Sequence, residues 1–454
     1  MTTVVSFVLV IGILILIHEL GHFFVARWTG VGVERFSIGF GPVLLRWRGK
    51  ETEYVLSAIP MGGYVKMMGE ESPLEGGTTP NYDPAKAFAL KPLWARFLIV
   101  FAGPGMNLVL AAVIFAIVLA TLGRPVWPAV VGRVTEGTPA AAAGLRTGDV
   151  VVAVNGRPIA YWEELDRALA KSDGRPLELR VRRDGTEQVV TATPRLRSVP
   201  DPIFREPRES WDIGAGPQLI PQISSVSPGS PAGKAGLKAG DVVTNVAGQL
   251  VYTPDDLVEA IRTRPGQSFP MTVERDGRTL TVTVTPDPVK EKSPDGQERE
   301  VGRIQAGIAT KAVSFAPYNP VSALGHGVTK TWDMTALTVK GLWKLLSRQI
   351  DSSNIGGPIQ IATEAGRQAK DGMASLALFT AIISVNLGVL NLLPVPMLDG
   401  GHLFFFVIEA ILGRPLSLRK REVAQQVGFV LLMLLMVYAL YNDLVRIDAF
   451  KVFR

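Results

Sequence analysis

The sequence predicts a polytopic α-helical membrane protein of about four spans. A long loop on one side carries two copies of a small α+β domain, and the opposite side carries a small β element. Three observations predict this. Four stretches, Val4 to Ala26, Phe97 to Leu122, Leu376 to Val395 and Val423 to Tyr441, are apolar over the roughly 20 residues that a helix needs to cross a hydrocarbon core. A mean hydropathy of +0.24 with 19% charged residues is too apolar for a wholly soluble chain of 454 residues. A motif at 139–151 recurs at 231–243, inside the loop between the second and third stretches.

The first span, within 1–26, reads as retained rather than cleaved. No positive segment precedes it, no small-residue cleavage site follows it, and Arg27 comes directly after. Segment 27–95 is basic, and Tyr54 to Met68 reads as two short strands about a turn at Pro60 and Gly62-Gly63, a membrane-associated hairpin with an edge free to pair with an extended peptide. The second span is 96–122. Region 319–372 has apolar residues at helical spacing, as in Leu324, Val328 and Trp332, opposite Lys330, Lys340, Lys344 and Arg348, and is expected to form helices lying at the membrane interface. The third span, 376–398, ends in a broken segment; 399–422 is a short motif followed by a loop; the fourth span is 423–444. Arg27, Arg35, Arg46, Arg48 and Lys50 after the first span, and Arg414, Arg419, Lys420 and Arg421 before the fourth, place both segments in the cytosol. Both termini and the repeats then lie outside, in the periplasm of a double-membraned bacterium, with the spans in its inner membrane and in contact with lipid.

The repeat extends beyond its motif. Pro139-Ala-Ala-Ala-Ala-Gly-Leu-Arg-Thr-Gly-Asp-Val-Val151 aligns with Pro231-Ala-Gly-Lys-Ala-Gly-Leu-Lys-Ala-Gly-Asp-Val-Val243, Leu165 with Leu257, and Asp184-Gly185 with Asp276-Gly277. Each copy reads as a short helix, an apolar strand, a glycine turn, an amphipathic helix and two alternating strands, with domains expected at 126–196 and 217–288. The run Pro-Ala-x-x-Ala-Gly-Leu-x-x-Gly-Asp resembles the PDZ domain, which implies a peptide groove or a steric plug; a ligand-free spacer is the bland alternative.

A net charge of +6 comes with no basic helix and no aromatic-basic motif, so nucleic acid is not an expected partner. The absence of cysteine leaves His, Asp and Glu as the side chains to hold a transition metal.

His18-Glu19-Leu20-Gly21-His22 has the H-E-x-x-H spacing, which puts two imidazoles on one helical face and leaves Glu19 beside them, able to reach a water rather than the metal. A chain of this composition yields the pattern by chance about 0.002 times. An ionisable cluster in an apolar span costs at least about 2.5–3.5 kcal/mol per charged group at the bilayer centre, so it persists only with a partner or a function. Zn2+ fits: it neutralises the cluster, takes three protein ligands and brings a water's pKa to about 7. The third ligand is expected to be Asp399, in Asn391-Leu-Leu-Pro-Val-Pro-Met-Leu-Asp-Gly-Gly-His402, where Pro394 and Pro396 break regular helix. His402 is the alternative ligand, and a helix N-cap is the alternative role for Asp399. Three rival readings of the whole are a membrane-anchored scaffold with a structural metal, a non-haem iron site of two His and one carboxylate, and a metal transporter. The last would need more ionisable residues along the spans than the second and fourth hold.

H-E-x-x-H in the first span, Ala102-Gly103-Pro104-Gly105-Met106-Asn107 opening the second, and Asn391-x-x-Pro394-x-Pro396-x-Leu-Asp399-Gly400 together resemble the site-2 protease family. The resemblance covers nearly the whole chain. It implies an intramembrane zinc metalloendopeptidase with Glu19 as the catalytic base, His18, His22 and Asp399 on the metal, and Asn391, Pro394 and Pro396 holding substrate. It also implies regulated proteolysis in a stress response, of a single-span membrane protein such as an anti-sigma factor already shortened by another protease. Because a helical peptide bond is shielded by its own hydrogen bonds, the substrate must unwind and be paired again, a task for which Asn386 and Asn391 are candidates.

Overall fold

The computed structural model describes residues 2–70, 83–200, 207–292, 298–311, 314–350 and 356–446. It divides into a helical unit, Met1–Gly123 with Pro317–Arg454, and a β-rich unit, Arg124–Ala316.

The helical unit opens with α1 (Thr2–Trp28), a strand β1 (Val33–Arg48), a strand β2 (Glu53–Met67) and α2 (Leu93–Thr121). Gly21 lets α1 approach α2 closely, because a Cβ there would overlap the carbonyl of Ala102. That is the small-residue packing on which helices in lipid depend. The strands correct the expected hairpin. The halves of β2 on either side of Gly62 (φ 117°) do not pair with each other; each pairs with β1, Val33 opposite Met67 and Arg48 opposite Glu53. The physical reason is that β1, to which the sequence reading assigned no strand, supplies a longer partner, and its bends at Gly39 and Gly41 (φ 87° and 84°) let it serve both halves.

The β-rich unit holds the duplicated module. In the first copy β3 (Arg124–Val126) and β4 (Val131–Val134) lead to α3 (Pro139–Ala142), β5 (Val150–Val154), β6 (Arg157–Pro158), α4 (Trp162–Ala170), β7 (Leu177–Arg183) and β8 (Thr186–Ala192). A hairpin of β9 (Arg195–Pro200) and β10 (Pro207–Asp212) follows, then β11 (Ala215–Pro217), which pairs back onto β4. The second copy repeats this with β12 (Pro221–Val226), α5 (Pro231–Lys234), β13 (Val242–Val246), β14 (Gln249–Leu250), α6 (Pro254–Arg262), β15 (Phe269–Arg275) and β16 (Arg278–Val284). Its hairpin is β17 (Asp287–Lys292) with β18 (Glu298–Arg303), and β19 (Ala306–Thr310) pairs back onto β12. A last strand, β20 (Ser314–Ala316), pairs with β3.

Alternation in β7 puts Leu177, Leu179 and Val181 inward onto Val151 and Leu165, and β15 does the same with Phe269, Met271 and Val273. Each copy thus takes its closing strand from beyond the end expected for it, 196 and 288. The intervening hairpins carry no shared motif to signal the return. The repeat resumes only at Ile213-Gly-Ala-Gly216 and Ile304-Gln-Ala-Gly307.

The chain re-enters the helical unit with α7 (Pro320–Leu346), α8 (Pro358–Asp371), α9 (Met373–Asn391), α10 (Asp399–Leu412) and α11 (Leu418–Arg446). Asn319 caps α7, its Oδ1 accepting from the Ser322 amide at 2.8 Å. The helix runs antiparallel along α2: the Tyr318 amide donates to Leu119 and Gly327 packs on Ala112 and Ala116. Its contact face is small, Ala323, Gly327 and Thr331, whereas Leu324, Val328 and Trp332 are exposed. The stretch 399–422, read as motif and loop, contains the 14-residue helix α10, whose Leu403, Phe405 and Phe406 are buried. Thr2–Trp28, Leu93–Thr121, Met373–Asn391 and Leu418–Arg446 are long and apolar enough to cross a membrane.

Candidate metal centre

His18 and His22 occupy one face of α1, four residues apart, and both are more than nine-tenths buried. Their rings meet edge to face at 79°, so the two Nε2 atoms converge to 3.2 Å. Asp399, first residue of α10, aims its carboxylate between them: Oδ2 is 3.1 Å from His18 Nε2 and Oδ1 is 3.7 Å from His22 Nε2. A tetrahedral zinc with bonds of about 2.0 Å has donor–donor edges of about 3.3 Å, so the two imidazole nitrogens already stand at that spacing, with one or other carboxylate oxygen of Asp399 near it from each. The donor set, two imidazoles and one carboxylate with no thiolate, is that of hydrolytic zinc. Among the described residues these three form the one His/Asp/Glu group able to hold an ion.

Each of these three side chains is placed by identifiable local chemistry. The His22 Nδ1–H donates to the Ile99 carbonyl at 2.8 Å, which fixes that ring and leaves Nε2 as the donor atom. His18 Nδ1 lies 3.2 Å from the Asn107 carboxamide, and the carbonyl of Asn107 accepts from the Ser384 hydroxyl at 2.7 Å. Gly103 opens the space, since a Cβ there would overlap His22 Nε2 and stand 2.8 Å from His18 Nε2.

Asp399 is not the N-cap of α10. Leu398 holds that position, and the carboxylate faces the imidazoles instead. Gly400 and Gly401 allow the turn, because side chains at either position would overlap the carbonyls of Leu393 and Val395. The helix is then tied to α2 by Arg96, whose two terminal nitrogens reach Glu409 at 3.2 and 2.5 Å while the guanidinium lies over Phe406.

Glu19 sits one residue round the helix from His18, buried, with β2 passing it so closely at Gly63 that a Cβ there would lie 2.8 Å from Glu19 Cγ. His402 lies apart from the three donors, edge-on to Phe405, in a small cavity with Glu409, Pro415 and Arg421. Asn391 ends α9, and Pro394 and Pro396 form the break before α10, Pro396 packing on Gly428 of α11. Asn386 points instead toward α7, where its Oδ1 accepts from the Thr338 hydroxyl at 2.8 Å. The roles that sequence reasoning did not assign are those of Gly103, Asn107, Ser384 and the Arg96–Glu409 pair. Asn107, a polar residue inside an apolar span, carried a usable signal; the others emerge only once the helices are packed.

A His-Glu-x-x-His helix meeting a carboxylate within a bundle of apolar helices defines an intramembrane zinc metalloprotease. The model of peptidase family M50 matches residues 6–435, and the chain belongs to that family. Protease RseP of Yersinia pestis is 38% identical, covering 97% of this chain and 98% of its own. The regulator of sigma-E protease RseP of Escherichia coli K12 is 37% identical with the same coverage. Among solved structures, the PDZ domain of an SdrC-like protein from Listeria monocytogenes matches 20% of this chain and 86% of its own, at 16% identity and a TM-score of 0.16, too low to bear on the fold. The protein is a multi-pass membrane enzyme that uses zinc and acts on membrane proteins.

Proposed function

We propose that this protease cuts the transmembrane segment of single-span proteins in a bacterial inner membrane, with His18, His22 and Asp399 holding the zinc and Glu19 as general base. The observation that carries the reading is the convergence of the two imidazole Nε2 atoms and the Asp399 carboxylate, at 3.1–3.7 Å, between two mainly apolar helices. Zinc, when bound there, supplies Lewis acidity and brings a water's pKa to about 7. The chain supplies the rest. Glu19 takes the proton of the attacking water and returns it to the leaving amine. The burial of His18, Glu19 and His22 keeps bulk water off the cluster, which strengthens its electrostatics.

The substrate backbone has to leave its helix before it can be cut. Asn391, Pro394 and Pro396 lie in the break that leads directly to Asp399, a position suited to holding an unwound segment beside the metal. Asn386, bonded to Thr338, would have to exchange that partner to join them. The relatives' names point to regulation of sigma-E, and an anti-sigma-factor-like protein already shortened outside the membrane is the natural substrate class. In this reading the termini and the duplicated PDZ-like modules are periplasmic, where the modules restrict access by unshortened substrates.

The test is cleavage of a fluorescent transmembrane peptide by purified protein, with and without zinc chelation, comparing wild type with Glu19→Gln. The reading expects Glu19→Gln to retain zinc and lose turnover at least 100-fold. Undiminished turnover in that variant would refute it.

A further inference from the structure

The strands β1 and β2 lie along the second half of α1. The turn between them meets the end of that helix, where Glu51 accepts from Arg27 at 2.8 Å and from Lys86 at 2.5 Å. Gly63 lies against Ile15 and Glu19 instead, so the sheet reaches back along α1 from Arg27 to Ile15, about 18 Å at 1.5 Å per residue. A bilayer that holds α1 therefore also surrounds the sheet and has its boundary with water near the turn. The exposed side chains follow this division. Val43, Leu44 and Leu45 are exposed away from the turn, Trp47 is exposed beside it, and exposed Trp28 and Trp94 stand at the end of α1 and the start of α2. Tryptophan at the ends of spans sits at headgroup level.

At the turn is a cleft of about 510 Å³, lined by Arg35, Arg46, Arg48, Lys50 and Lys66 and by the carboxylates of Glu34, Glu51 and Glu53. The carboxylates are all engaged. Glu53 pairs with Arg35 and Arg46 at 2.7 and 3.3 Å, Glu34 with Lys66 at 2.8 Å, and Glu51 with Arg27 and Lys86. Arg48 stands opposite Glu53 in the strand register, yet that carboxylate is already taken. Among the described residues neither Arg48 nor Lys50 has an ion-pair partner. Two solvated cations on a protein surface call for nothing by themselves. Here the strand that carries Arg46 and Arg48 continues directly into the exposed apolar residues 43–45. A single ligand with an anionic head and an apolar tail meets both needs.

We infer that the cleft at the β1–β2 turn is a binding site for one anionic phospholipid: Arg48 and Lys50 hold its phosphate, and its acyl chains lie along 43–45. The Arg48 fork suits a phosphodiester, to which it can give two parallel N–H bonds. A zwitterionic headgroup would bring an ammonium up to cations that already lack a counter-charge. No part of the metal centre enters this inference.

Native mass spectrometry of the intact protein tests it, with phosphatidylglycerol or phosphatidylcholine of the same acyl chains. The wild type is expected to retain one phosphatidylglycerol, with a preference over phosphatidylcholine of about tenfold or more. Arg48→Gln combined with Lys50→Gln is expected to abolish the preference. Arg419→Gln combined with Lys420→Gln, which removes the same charge from the start of α11, is expected to keep it. No preference in the wild type overturns the proposal. Equal loss in both double variants also overturns it, because surface charge alone predicts that result, and so does displacement of the lipid by inorganic phosphate at equal concentration. Hydrogen exchange of the wild type in nanodiscs locates the site without any variant: the amides of 43–48 are expected to exchange severalfold more slowly in phosphatidylglycerol than in phosphatidylcholine. Equal exchange there in the two lipids overturns the placement on this strand.

Discussion

Gly103 of α2 and His22 of α1 are so close that a methyl group on the glycine would overlap the imidazole Nε2. The face of α1 that carries His18 and His22 is therefore shaped by an absence on its neighbour. Gly103→Ala should push His22 off line at an overpacking cost of about 1–3 kcal/mol. The expected outcome is a folded protein with zinc affinity lowered at least tenfold and peptide cleavage lowered with it. Metal content after dialysis against a weak chelator checks this; wild-type retention would mean that α2 yields instead.

Asp399 and His402 stand one helical turn apart on α10, yet the carboxylate meets the two imidazoles while His402 packs on Phe405. Asp399→Ala should therefore lose zinc, whereas His402→Ala should keep it and keep most of its activity. Zinc stoichiometry measured on both variants decides the matter, and loss of metal from His402→Ala would contradict the geometry.

How far such a site can be read from sequence depends on the range of the interaction. The His18–His22 spacing is local, set by helical periodicity within five residues, so it was legible at once. Asp399 was legible because prolines and glycines mark the break around it. The repeats were legible from the 139–151 and 231–243 motifs, but their last strands were not, because β11 and β19 return after hairpins without a shared pattern. Arg96 with Glu409, 313 residues apart, leaves no trace in either local segment. On α7 the division of faces shows only once the helices are packed: Ala323, Gly327 and Thr331 meet α2, Met334 and Leu342 pack on the α2–α9 cluster, and Leu324, Val328 and Trp332 are exposed.

The aspartate of each repeated Gly-Asp has a partner 34 residues on. Asp149 accepts from Arg183 Nε and Nη2 at 2.7 and 2.6 Å and from the Arg146 amide at 2.8 Å, and Asp241 does the same with Arg275 and Lys238. Burial alone would raise these carboxyl groups, but the guanidinium and amide bonds outweigh it and hold both below the ordinary carboxylate range. A depressed folded pKa contributes stability that is complete above the unfolded value of about 3.9 and is lost as pH falls through the folded value. Both modules should thus be insensitive to this pair from pH 5 to 8 and loosen below about pH 4. Arg183→Met should cost the first module about 3–5 kcal/mol by leaving Asp149 buried and unpaired. Hydrogen exchange at Val151 and Leu179 in the full chain reads the loss, and Val243 and Met271 of the second module serve as internal controls.

Asp443, near the end of α11 and 1% exposed, caps a different helix: its oxygens accept from the amides of Gly357, Ile359 and Gln360 at 2.9, 2.9 and 3.1 Å, at the start of α8. Gly357 must be glycine for this, since a Cβ would lie 2.5 Å from Asp443 Oδ2. Most of the side chains along α11 are exposed; it also comes close at Gly428, against Pro396 and Met397 in the break before Asp399, and Arg446 reaches Gln360. Near its end α11 thus sets a carboxylate on a helix N-terminus, and at Gly428 it meets the segment proposed to hold substrate. Asp443→Ala should remove that carboxylate cap, at a cost of about 1–2 kcal/mol. A loss of 1.4 kcal/mol corresponds to tenfold faster exchange of the Ile359 and Gln360 amides, while zinc affinity stays at the wild-type value. Unchanged exchange at those amides would show that α8 holds its first turn without Asp443.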